Sequence, residues 1–151
     1  MKKAVTPIPE GYHSVTPYLT VVGVPKLIDF LKQTFGAEEL HRMARPDGTV
    51  MHAEITIGDS RIMMGEPVGE FQAMPAQLYV YITDVDAAYK RALAAGATSV
   101  SEPADQFYGD RHGGVKDHCG NLWWIATHTE DVSPEEMEKR AQAAMKQRQG
   151  A

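Results

Sequence analysis

The stretch Gly23-Val24-Pro25-Lys26-Leu27-Ile28-Asp29-Phe30-Leu31-Lys32-Gln33-Thr34-Phe35-Gly36-Ala37 decides how this chain folds. Leu27, Ile28, Leu31 and Phe35 recur at helical spacing. Pro25 suits a first turn, where its missing N–H would have no partner, and Gly36 suits a left-handed cap. The pattern predicts a helix from about Pro25 to Phe35. Upstream, the β-branched and aromatic run from Thr16 to Val22 reads as a strand that ends at Gly23. Downstream, Glu38 to Arg45 and Val50 to Gly58 flank the turn Pro46-Asp47-Gly48, and Gly58-Asp59-Ser60 leads into Arg61-Ile62-Met63-Met64. The predicted order is strand, helix and three hairpin-linked strands, preceded by an irregular arm over residues 1–14 that carries Pro7, Pro9 and Gly11.

The second half repeats the order. Leu78 to Ile82 reads as a strand, Val85 to Ala94 as a helix entered through Asp84, Gly96 as its cap and Thr98-Ser99-Val100 as strand. Placing Gly36-Ala37 on Gly96-Ala97 sets the halves 60 residues apart and puts Met64 on Trp124. Two such copies predict an α+β fold of two tandem βαβββ modules, 15–67 and 76–130, forming a cupped mixed β-sheet within a domain over 15–130. In the segment 131–151, Ser133 caps, Pro134 takes the first helical position and Glu136 completes a capping box, which predicts a C-terminal helix to about Gln147. Its stripe of Met137, Ala141, Ala144 and Met145 is thin, as on a surface or a partner subunit.

A chain of 151 residues suffices for one core without staples. A net charge of −5 gives no footprint for nucleic acid or anionic membrane. The opening residues lack the apolar run of a signal peptide, no stretch is long enough to span a bilayer, and the single Cys119 cannot form an internal disulfide. These features predict a cytoplasmic protein.

Strand alternation sorts side chains onto faces. Met51, Ala53, Ile55 and Ile57 are expected against a helix, with Val50, His52, Glu54 and Thr56 opposite. Leu78 and Val80 are expected inward, which leaves Gln77, Tyr79 and Tyr81 on the open face, as Leu19 and Val21 leave Thr16, Tyr18 and Thr20. Such a face is too polar for a dry core and too aromatic for plain solvent; it reads as pocket wall. The tyrosines alternatively pack as ordinary strand formers, and His52 with Glu54 alternatively forms a self-satisfied pair. In Asp105-Gln106-Phe107-Tyr108-Gly109-Asp110-Arg111-His112, Tyr108 stacks or donates and Arg111 engages an anionic oxygen bidentately, unless Arg111 simply pairs with Asp110. Cys119 beside His118 lacks an orienting acid for nucleophilic work.

Together with the closing Asp117-His118-Cys119-Gly120-Asn121-Leu122-Trp123-Trp124, the stretches Thr16-Pro17-Tyr18-Leu19, Phe35-Gly36-Ala37-Glu38-Glu39-Leu40, His52-Ala53-Glu54, Asp105 to Arg111 and Thr127 to Glu136 resemble the vicinal oxygen chelate superfamily. Its members include glyoxalase I, bleomycin-resistance proteins and extradiol dioxygenases, and the likeness is nearest to its PhnB-like branch. The resemblance covers about Val15 to His128 and implies paired modules, a homodimer and a small-molecule cavity. The family's divalent-metal positions fall at Thr16, at Met63 or Met64, at Gln77 and at Trp124. Only Gln77 of these is a plausible ligand, so the resemblance implies no metal here. The lead reading is ligand binding or sequestration, with Tyr18, Tyr79, Tyr81 and Trp124 as stacking surface, Tyr108 as a further ligand-binding ring, and His52, Glu54, Gln77 and Arg111 as orienting groups. The alternative is a lyase, isomerase or dioxygenase-like enzyme with His52 and Glu54 as catalytic groups, and a divalent metal displaced onto them with help from His112 or Gln77.

Overall fold

The computed structural model describes residues 1–150. The element order is β1 (Tyr18–Thr20), α1 (Val24–Phe35), β2 (Glu38–Ala44), β3 (Val50–Ile57), β4 (Ser60–Gly65), β5 (Gln77–Tyr81), α2 (Val85–Ala94), β6 (Thr98–Asp105), β7 (Asp110–Lys116), β8 (Leu122–His128) and α3 (Pro134–Gln149). The strands form two four-stranded sheets, ordered β1-β4-β3-β2 and β5-β8-β7-β6, each with one parallel pair, β1·β4 or β5·β8. The chain divides into two compact units, one over 1–76 and one from Gln77 onward. Each unit is a βαβββ module, as the repeated order predicted.

In the first unit α1 buries Val24, Leu27, Ile28, Phe30, Leu31 and Phe35, the apolar face of the stretch quoted at the outset. Gly23 and Gly36 bracket it in left-handed conformations, φ 84° and 67°, which only glycine adopts without strain. In the second unit α2 buries Val85, Ala88, Tyr89 and Ala92, and Asp84 accepts from the Ala87 N–H as the expected N-cap. Beneath it Trp123 and Ile125 are fully buried. Ser133 caps α3 through the Glu136 N–H, but the Glu136 carboxylate pairs with Arg140 at 3.0 Å. No residue of α3 is buried.

Two expectations need correction. First, Val50 is buried and Met51 is exposed, the reverse of simple alternation along β3. The β2·β3 register runs Met43↔His52 and then Ala44↔Val50, so Met51 is an extra residue at a bulge, and a bulge inverts the facing on one side of it. Second, the 60-residue offset is not uniform: it fits the glycine caps and the β3 and β7 positions, His52 on His112 and Glu54 on Gly114, but not the helices or β4 and β8. The buried positions of α1 and α2 match 61 apart, because α1 has 12 residues and α2 has 10, and the cap glycine follows the last helical residue directly in one and after Ala95 in the other. The same offset sets Tyr18, paired with Met63, on Tyr79, paired with Trp124. The counterpart of Trp124 is therefore Met63 on the open face, and the buried Met64 matches Ile125.

Candidate functional site

Side chains gather on the open face of each sheet. In the first unit Tyr18, Met63 and Glu54 form one cross-strand row. His52 sits two residues before Glu54, with its Nε2 3.4 Å from Glu54 Oε1 and its Nδ1 3.5 Å from Tyr18 Oη. The Tyr12 hydroxyl lies against Glu54 without closing a well-aligned hydrogen bond; its proximity, followed by that of His52, holds the Glu54 carboxyl below the ordinary range. Glu54 is thus an ionised carboxylate beside a half-buried imidazole. Tyr12 belongs to the arm expected to be irregular, yet its ring seats the Arg61 guanidinium 4.8 Å from its centroid. Tyr18 also lines a cavity of about 450 Å³ with Met51 and Gly65.

In the second unit the corresponding row is Tyr79, Trp124 and Gly114. The six-membered ring of Trp124 lies close against Gly114, where a Cβ would come within 2.6 Å of it. Its Nε1–H donates to Gln77 Oε1 at 2.6 Å, which fixes the indole's tilt. His112 packs edge-on against Trp124 with centroids 5.4 Å apart, stacks on Tyr108 at 6.0 Å and touches Tyr79 at 5.8 Å. Tyr18 and His52 also stand 5.8 Å apart, so one Tyr–His ring pair is built twice, once per unit. The His112 Nδ1 is buried with no hydrogen-bond partner among the described residues, a cost that a ligand's polar group would relieve.

Beside these rings Asp110, only 3% exposed, accepts from the Tyr79 and Tyr81 hydroxyls and from His128 Nδ1, each at 2.8 Å. Burial pushes its carboxyl up, but the His128 imidazole and then the two tyrosines outweigh burial and leave it below the ordinary range. Asp110, followed by Asp131 at 2.7 Å from Nε2, raises the His128 imidazole. Burial and Asp110 raise Tyr79, while Asp110 chiefly raises Tyr81, so both hydroxyls stay protonated donors. Sequence reasoning missed this cluster. The signal was available in Trp124, Ala126 and His128, which alternate onto one face of β8.

Of the residues expected in the site, Gln77, Tyr79, Tyr81, Tyr108 and Trp124 share the second unit's open face. Tyr18, His52 and Glu54 share the first unit's. Arg111 does neither. It lies on the opposite face of β7, where its guanidinium clasps Asp86 at 2.8 and 2.9 Å and reaches Asp105 at 3.4 Å; Asp110 is not its partner. Asp117 does not orient His118. Its oxygens accept from the N–H groups of Cys119 and Asn121, the Asn121 amide and the Trp123 indole, and so build the turn and anchor the core.

The donor set at the family's metal positions does not fit an ion. Trp124 is donor-only, the Gln77 oxygen already accepts from it, and Thr16 with Met63 offers a hydroxyl and a thioether. Among the described residues no three His, Cys, Asp or Glu side chains converge to hold an ion, at His52 and Glu54 or elsewhere. No helix is long and apolar enough to cross a membrane among the described residues.

Comparison with known proteins agrees with this architecture. Residues 12–125 match the Glyoxalase/Bleomycin resistance protein/Dioxygenase superfamily. An uncharacterised protein of Mycobacterium tuberculosis is 34% identical over 143 residues, 87% of this chain and 82% of its own length. The crystal structure of TioX from Micromonospora sp. ML1 is similar with a TM-score of 0.63 and 26% identity, over 80% of this chain and 100% of that one. The PhnB protein from Bacillus cereus shares the fold with a TM-score of 0.62 at 20% identity, over 76% and 99% of the two chains. The chain belongs to the glyoxalase/bleomycin resistance protein/dioxygenase superfamily.

Proposed function

We propose that the protein binds or sequesters a small, partly aromatic or zwitterionic molecule without a metal, on the ring face of the second unit. The observation that carries this reading is Trp124, seated against Gly114 and held by Gln77, with the unpartnered His112 Nδ1 among the surrounding rings. A pre-ordered indole supplies stacking area at small entropic cost, and the buried imidazole nitrogen supplies one directional contact. The protein then acts as a receptor whose specificity comes from ring stacking plus one or two polar bonds. A panel of planar aromatic and zwitterionic compounds, titrated while tryptophan emission is followed, tests it. Binding should saturate and be abolished in Trp124→Ala; preserved affinity in that variant would sink the proposal.

A second reading rests on Tyr18, His52 and Glu54 in the first unit. An imidazole held between a hydroxyl and an ionised carboxylate is a candidate general base. In that reading His52→Ala removes turnover of a bound compound. In the binding reading the same change leaves the second unit's affinity intact.

A further inference from the structure

The cavity of the first unit lies on other residues than the ring face described above. It is lined by Tyr18, Thr20, Arg45, Met51, Gly65, Glu66, Val68 and Phe71, and its volume of about 450 Å³ is that of a small-molecule site. Its walls are built in advance. Val68 and Phe71 exchange backbone hydrogen bonds of 3.1 and 3.0 Å in a tight bridge after β4, and the Met74 N–H returns to the Thr20 carbonyl at 3.2 Å. The bulge in β3 turns Met51 into the space, and Gly65 leaves room there, since a Cβ would stand 2.7 Å from the Met51 carbonyl and 2.8 Å from Tyr18 Oη. Phe71, Val68, Tyr18 and Met51 all remain exposed, so apolar surface surrounds a void with nothing of this unit in it.

The polar wall is unequal in what it offers. Glu66 is spent: Oε1 accepts from the Gly23 N–H at 2.8 Å and Oε2 from the Val50 N–H at 2.6 Å. Arg45 is not. Of its five N–H donors, one goes to Thr49 Oγ1 at 3.1 Å and one to the Glu66 carbonyl at 3.2 Å. The nearby Asp47 is turned to the Thr49 N–H and hydroxyl at 2.9 and 2.6 Å. The cavity therefore presents a half-buried cation with donors in hand and no uncommitted acid. An apolar body bearing one anionic oxygen group complements it. We propose that this cavity is a binding site for an aryl-alkyl monocarboxylate, its carboxylate on Arg45 and its apolar body against Phe71, Val68, Met51 and Tyr18.

Isothermal titration of the full chain with 4-phenylbutyrate and with its neutral amide, alongside ¹³C-methyl methionine spectra, tests the proposal. The carboxylate should bind at least tenfold more tightly than the amide and shift the Met51 methyl saturably. Arg45→Gln should erase the preference, Phe71→Ala should weaken both compounds about tenfold, and Trp124→Ala should change neither affinity. Equal affinity of the two compounds, an unmoved Met51 methyl, or loss of binding in Trp124→Ala would overturn it. Should Arg45→Gln fail to fold, the two compounds on the wild type and on Phe71→Ala decide the matter alone. Because this site rests on residues of the first unit, failure here leaves the Trp124 reading untouched, and failure there leaves this one.

Discussion

Asp110→Ala tests whether the cluster of Asp110, Tyr79, Tyr81 and His128 holds the ring face together. The variant removes the acceptor of three hydrogen bonds of 2.8 Å. Bonds to an ionised acceptor contribute about 1.5–3 kcal/mol each, so three would sum to about 5–9 kcal/mol if every donor were stranded. They are not stranded. Tyr79 and Tyr81 are 41% and 62% exposed, His128 is half exposed, and each donor can turn to water. The loss should therefore fall to about 2–4 kcal/mol. Its pH dependence carries a sign. The folded-state pKa of Asp110 is lowered, so its contribution is present above the unfolded carboxyl pKa of about 4 and is lost as pH falls through the depressed value. The folded-state pKa of His128 is raised, so its contribution is present below about 6.5 and is lost as pH rises through the elevated value. The gap between wild type and variant should thus be widest between about pH 4 and 6.5 and narrow on both sides. Urea unfolding followed by circular dichroism at three pH values measures it. A gap under about 1 kcal/mol at the middle pH, or one that is flat with pH, would refute the reasoning.

Asp117→Ala should cost more, about 3–5 kcal/mol by urea unfolding, because it strands donors on Asn121 and Trp123, both fully buried. A loss under about 1 kcal/mol would mean that the turn rearranges to satisfy them. Gly65→Ala should destabilise by about 1–3 kcal/mol, since the new Cβ meets the Met51 carbonyl as well as the movable Tyr18 hydroxyl; an unchanged melting temperature counts against the close approach. Removing the chain after Glu130 takes away Arg140, which bonds Glu130 and the Phe107 carbonyl, but no buried residue. The melting temperature should fall slightly and saturable aromatic binding should persist; its loss would assign α3 to the ring face.

The helices and turns were legible because each is encoded locally. The spacing of Leu27, Ile28, Leu31 and Phe35, the glycine after it and the Asp84 cap each act within a few residues of where they sit. What was not legible depends on strand pairing. Nothing near Met51 marks it as the surplus residue of a bulge, because the surplus exists only relative to β2. Arg111 reads equally well toward either face until the position of Asp86 on α2 is known. Asp110 looked like the natural partner of its sequence neighbour, yet adjacent strand residues point to opposite faces, and the acid found partners 29, 31 and 18 positions away.

The internal repeat then explains why the candidate chemistry differs between the units. Register sets Glu54 opposite Met63 and Gly114 opposite Trp124, so Glu54 and Gly114 occupy the same place beside the repeated Tyr–His pair. A glutamate there gives the imidazole an ionised neighbour, and a flexible thioether next to it leaves the acid accessible. A glycine there gives the imidazole none and leaves room for the indole, which occupies the space that a side chain would need. Two exchanges, glutamate for glycine and methionine for tryptophan, thus separate a Glu–His row from an indole row on the same backbone. Trp124 and Glu54 are not equivalent parts of one repeated site, so substitution of each should remove a different property: stacking affinity for the first, and the carboxylate partner of the His52 imidazole, with any general-base turnover that depends on it, for the second.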